Sequence, residues 1–119
     1  MDIKMPLATD IEIHAVEGVV ANLKAVEGVL KVVLFGSRVR GDFTGDSDLD
    51  ILIIIDDIRR KEDVVAAFHD IELEHEIPFG PVIYTKHEYD VNLSMGSPFF
   101  KEVQKEGIIL YDIIGRGKN

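Results

Sequence analysis

Apolar residues recur at helical spacing near the start of the chain, where Ile13, Val16, Val20, Leu23 and Val26, with Val19 beside them, form one stripe. The stripe predicts a helix capped by Asp10, running to about Val26 and ended by Gly28. The pattern then shifts to short unbroken apolar runs. Lys31-Val32-Val33-Leu34-Phe35 reads as a strand stopped by Gly36, and Asp48-Leu49-Asp50-Ile51-Leu52-Ile53-Ile54-Ile55 reads as a second. A strand's period of two places Asp48, Asp50, Leu52 and Ile54 on one face, and Leu49, Ile51, Ile53 and Ile55 on the other. Both faces are apolar beyond the first residues, as in a central strand. A helix over about 61–76 follows, then a break at Pro78-Phe79-Gly80-Pro81 and a third strand over Val82–Thr85. Ser97 with Pro98 starts a further helix that Gly107 ends, and a last strand covers Ile108 to Tyr111. The order helix, strand, strand, helix, strand, helix, strand predicts an α/β (α+β) domain with a mixed β-sheet of about four strands and helices packed mainly on one face.

Composition narrows what such a domain does. At 119 residues, 46% of them hydrophobic, the chain fills one core, so residues 1–119 are expected to form a single domain. Thirteen basic residues against 22 acidic ones give a net charge of −9, which repels a nucleic-acid backbone and makes nucleic acid an unfavourable partner. There is no cysteine, which excludes disulfides and thiolate metal sites. The longest apolar run, Ile51 to Ile55, is too short to cross a membrane, and no signal-peptide pattern precedes the loose arm expected at Met1 to Pro6. A cytoplasmic location is the expectation.

The chemistry-bearing residues lie between Gly36 and Asp50. A glycine at a strand end lets backbone N–H groups approach an anion, and the Ser37 hydroxyl adds a donor to a phosphate oxygen. Such a pair is also an ordinary turn. Asp48 and Asp50 share a strand face with Cα atoms about 6.6 Å apart, so their carboxylates can converge on one divalent ion. Magnesium takes one or two protein carboxylates and lets water and substrate phosphate complete its shell. The plainer alternative is a polar turn at Asp46, Ser47 and Asp48 with Asp50 exposed, but an aspartate entering a buried strand must be hydrogen-bonded, paired or metal-bound. Arg38 and Arg40 are placed to reach triphosphate oxygens, or else to remain solvated or pair with Asp42 and Asp46. The pieces Gly41-Asp42 and Gly45-Asp46 read as loop. His14, His69, His75 and His87 lack metal-site spacing, and Glu72, Glu74 and Glu76 read as a solvated helix end.

Gly36-Ser37, ten residues from Arg38 to Ser47, and then Asp48-Leu49-Asp50 resemble the signature of the DNA polymerase beta nucleotidyltransferase superfamily. The spacing is similar to that of its smallest members, the minimal nucleotidyltransferases that act as antitoxin-like partners of HEPN proteins. Lys105-Glu106-Gly107 and Leu110-Tyr111 resemble the C-terminal pattern of the same small proteins. The resemblance implies Mg²⁺-dependent transfer of a nucleoside monophosphate from a nucleoside triphosphate, ATP above all, to a hydroxyl such as a tyrosine of a HEPN-type partner. It implies Asp48 and Asp50 as catalytic and metal-binding residues, with one or two ions, and Gly36, Ser37 and Arg38 as nucleotide-binding ones. Catalytically complete members carry a third carboxylate on a later strand, and Pro81-Val82-Ile83-Tyr84-Thr85 contains none. Glu76 and Glu88 are the candidates to move in. The alternative implied is an antitoxin-like or regulatory nucleotide-binding module whose catalysis is weak or lost. Self-pairing into a homo-oligomer is compatible with so small a domain.

Overall fold

The computed structural model describes residues 8–41 and 48–114. The N-terminal arm and the loop readings at Asp42, Asp46 and Ser47 lie outside the described residues. Helix α1 spans Asp10–Lys24, strand β1 Val29–Phe35, the single helical turn α2 Ser37–Arg40, and strand β2 Leu49–Ile55. A 3-10 turn at Ile58–Arg60 leads into α3, Lys61–His75, and then β3, Phe79–Thr85. Helices α4, Lys86–Ser94, and α5, Pro98–Glu106, precede β4, Ile108–Asp112.

The four strands form one mixed sheet in the order β3-β2-β1-β4, with β2 parallel to β3 and β1 antiparallel to both of its neighbours. This is the mixed α+β sheet expected of the pattern. The period-two reading of β2 holds side chain by side chain. Leu49, Ile51, Ile53 and Ile55 pack under α1 and α3 with Val16, Val20, Leu23 and Phe68, while Leu52 and Ile54 pack with Tyr89, Phe100 and Val103 of α4 and α5. The two fifteen-residue helices thus share one face, and two helices of nine residues cover part of the other. Burial on both sides is what permits a strand as apolar as Ile51 to Ile55.

Strand β1 starts two residues earlier than expected, at Val29, and three further boundaries differ for local reasons. The cap of α1 is Thr9 rather than Asp10, in a capping box where the Glu12 amide donates to Thr9 Oγ1 at 3.1 Å and Glu12 Oε1 accepts from the Thr9 amide at 2.9 Å. Ala25, not Gly28, caps the other end. The segment Phe79-Gly80-Pro81 is not a break but the start of β3: at the sheet edge proline's missing N–H costs no ladder bond, and the Phe79 amide instead donates to Glu72 Oε2 at 3.3 Å.

Candidate nucleotide-binding site

The site forms where three backbone segments meet at one end of the sheet. In the strand register Asp50 lies beside Phe35 of β1 on one side and Gly80 of β3 on the other. Gly36 follows Phe35 directly with φ +90° and ψ −165°, a backbone shape that L side chains rarely adopt. A Cβ on Gly36 would collide with Asp50 Oδ2, and a Cβ on Gly80 would come within 2.8 Å of Asp50 Oδ1. Two glycine backbones therefore leave the space that the Asp50 carboxylate occupies. Asp48 is exposed beside it, its Oδ2 3.9 Å from the position of that Gly80 Cβ.

Burial pushes the Asp50 carboxyl above its ordinary pKa, the negative charge of Asp48 pushes it further, and Arg40 offsets part of the rise. A carboxylate whose ionisation is opposed by burial and by a neighbouring negative charge forms a site that favours a cation. Asp48 and Asp50 fit the Mg²⁺ that the motif implies, because that ion takes few protein carboxylates and needs phosphate or water oxygens for the rest of its shell. Among the described residues no group of three or more acidic, histidine or cysteine side chains converges on a metal position. Gly80 explains this: it is the β3 residue that shares the Asp50 face and register. Glu88 is held elsewhere, accepting from the Thr85 amide at 2.9 Å in the capping box of α4. Glu76 adopts a left-handed conformation at the C-cap of α3.

Gly36 and Ser37, expected to receive phosphate, open α2 beside Asp50. The amides of Val39 and Arg40 both donate to the Gly36 carbonyl, which closes the turn next to the Asp50 carboxylate. Arg38, in the same turn, also reaches the first helix. Its side chain is 7% exposed and its guanidinium donates to Glu12 Oε2 in α1, so the ion pair docks α2 onto the first helix. Burial tends to raise the Glu12 carboxyl, but the Thr9 amide and Arg38 outweigh it and hold it below the ordinary value. Arg40 lies against α5, 3.7 Å from Glu102 Oε1 and 3.4 Å from Glu106 Oε2. Sequence reasoning had no signal for these partners, since Glu12 lies 26 positions from Arg38 and Glu106 lies 66 from Arg40. Among the histidines, His14 stands 3.9 Å from Glu17 at the surface of α1.

The family described as polymerase beta, nucleotidyltransferase, matches residues 17–113. MJ0141 of Methanocaldococcus jannaschii, a candidate protein adenylyltransferase, is 30% identical over 81 residues, which is 66% of this chain and 75% of that protein. MJ0604 of the same organism, described in the same way, is 30% identical over 83 residues, covering 70% of this chain and 79% of that one. In fold, the chain is similar to a chain in the crystal structure of a mutant toxin–antitoxin pair, MntA–HpeT, with a TM-score of 0.52 and 18% identity over 89% of this chain and 76% of that one. The mixed four-stranded sheet and these similarities are those of a minimal nucleotidyltransferase, and the chain belongs to the polymerase beta nucleotidyltransferase family.

Proposed function

We propose that this protein transfers the AMP moiety of ATP to a hydroxyl on a partner protein. The observation that carries the reading is the Asp50 carboxylate seated between the backbones of Gly36 and Gly80, on the same strand end as Asp48 and next to the Gly36–Ser37 turn. Asp48 and Asp50 would hold Mg²⁺, which supplies charge neutralisation at the phosphate oxygens. The Ser37 amide and hydroxyl donate to the phosphates, and Gly36 lets them approach the backbone. An acceptor oxygen attacks the α-phosphorus, its proton is released to water, and the bond to the bridging oxygen breaks as pyrophosphate leaves. The chain's own contribution is placement, the term that dominates phosphoryl-group transfer.

The relatives described as candidate protein adenylyltransferases support AMP and a protein acceptor. The toxin–antitoxin neighbour supports no more than the fold, and a tyrosine of a HEPN-type partner is the acceptor that the family resemblance implies. Incubation with labelled ATP, Mg²⁺ and the neighbour-encoded partner tests the reading: the wild type leaves a covalent label on the partner, and the double variant Asp48→Asn, Asp50→Asn leaves none while melting as a folded protein. A double variant that labels as fast as the wild type overturns it.

One observation favours a second reading, a module that binds nucleotide without transferring it. Gly80 stands in the β3 position from which a third carboxylate would face the pair. That reading predicts Mg²⁺-dependent ATP binding by calorimetry with no labelled product under any partner condition.

A further inference from the structure

A pocket of about 240 Å³ adjoins the site on the α4–α5 side of the sheet, lined by Phe35, Gly36, Arg40, Phe99, Glu102 and Glu106 among others. We infer that this pocket seats the purine base of the nucleotide whose phosphates meet Gly36 and the two aspartates. The inference rests on the nucleotide reading above and extends it to a part of the ligand which that reading leaves unplaced.

Position comes first. Gly36 belongs to both places: its backbone lines the pocket and also borders the Asp50 carboxylate. A ligand with its phosphates at the aspartates therefore has the pocket as its neighbouring concavity. Size decides which part enters. Sites that enclose a whole drug-sized ligand run to about 300–1,000 Å³, so this smaller one takes a ring system and leaves the charged phosphates outside.

The lining chemistry makes the same choice. Glu102 and Glu106 place two carboxylates at the rim, which repel phosphate and accept hydrogen bonds from an amino group. Arg40 sits between them, so a donor and acceptors stand side by side. The base edge that matches carries an exocyclic amine beside a ring nitrogen or carbonyl, which adenine and guanine have and uracil lacks; in the ATP of the reading above it is the adenine edge. The rings of Phe35 and Phe99 meet at 84° with centroids 5.4 Å apart, giving an apolar corner in which one ring can offer its face to the base.

Calorimetry with Mg²⁺ and three ligands, ATP, UTP and inorganic tripolyphosphate, separates the base from the phosphates. The wild type is expected to bind ATP about tenfold more tightly than tripolyphosphate, the order of one base–aromatic stack, and more tightly than UTP. Phe99→Ala is expected to bring ATP down to the tripolyphosphate affinity without changing the latter. Because Phe99 also touches Phe100 and Tyr84, the double variant Glu102→Ala, Glu106→Ala gives a second route through side chains that are 60% and 34% exposed. There the ratio of ATP to tripolyphosphate affinity should fall about fivefold. Wild-type affinities equal for ATP and tripolyphosphate, UTP bound as tightly as ATP, or an unchanged ratio in both variants would each overturn the base assignment while leaving the phosphate site standing. Failure of all three ligands to bind the wild type would instead overturn the nucleotide reading itself.

Discussion

Asparagine at position 50 separates what that residue does for the fold from what it does for chemistry. Burial and the neighbouring Asp48 charge raise the Asp50 pKa, so the folded chain holds its proton more tightly than the unfolded chain. Stability from this group therefore falls as pH rises from the ordinary carboxylate range through the raised value, and the loss is complete above it. Asp50→Asn removes the loss, and in metal-free buffer at neutral pH the variant should melt above the wild type, with the gap closing as pH falls to the ordinary carboxylate range. Differential scanning across pH checks this, and a variant that melts lower at pH 7 contradicts it. Gly36→Ala goes the other way. Its φ of +90° and the collision with Asp50 Oδ2 should cost about 2–3 kcal/mol in urea unfolding, with loss of ATP binding. Glycine at both positions around one carboxylate shows a site shaped by what is left out.

At the level of elements, the ion pair between Arg38 and Glu12 makes the phosphate-side turn depend on the first helix. Glu12 serves twice, closing the Thr9 capping box and receiving the Arg38 guanidinium. Removing its charge with Glu12→Gln weakens a charge-assisted hydrogen bond to a nearly buried guanidinium, at a cost of about 2 kcal/mol by urea unfolding. The depressed Glu12 pKa means this stabilisation is present above the ordinary carboxylate range and is lost as pH falls through the lower folded value. Gly80→Asp tests the neighbouring strand. A third carboxylate beside Asp48 and Asp50 should lower the melting temperature of the metal-free protein, and millimolar Mg²⁺ should restore it to a degree not seen in the wild type; equal Mg²⁺ responses refute the geometry. The strands and the paired aspartates were legible because a period of two and an apolar run leave few alternatives for Asp48 to Ile55. Helix α4 was not, since its nine residues carry little apolar periodicity; only the Thr85–Glu88 capping box marked it, as Thr9 and Glu12 marked α1. Arg38's partner was illegible for a different reason. Nothing local in a four-residue turn announces which distant helix its side chain will meet.

Over the whole molecule, thirteen basic against 22 acidic residues set what the surface attracts. Fluorescence anisotropy with duplex DNA at about 0.15 M salt should show no binding up to micromolar protein, because phosphate contacts require a basic face; binding there would contradict the charge argument. No helix among the described residues is long and apolar enough to cross a membrane. The register of the sheet carries one more consequence. Its two outer strands are each flawed as templates: β3 has Pro81, which has no N–H to donate, and in β4 a register shift opposite Val32 and Val33 inserts an extra residue at Leu110. An incoming strand would meet a missing donor on one side and a kinked ladder on the other. The Ile51 to Ile55 run, which as an exposed segment would invite fibril growth, is thus locked in the middle of a sheet that resists lengthening in either direction, and contacts with other chains are left to side chains rather than to shared strands.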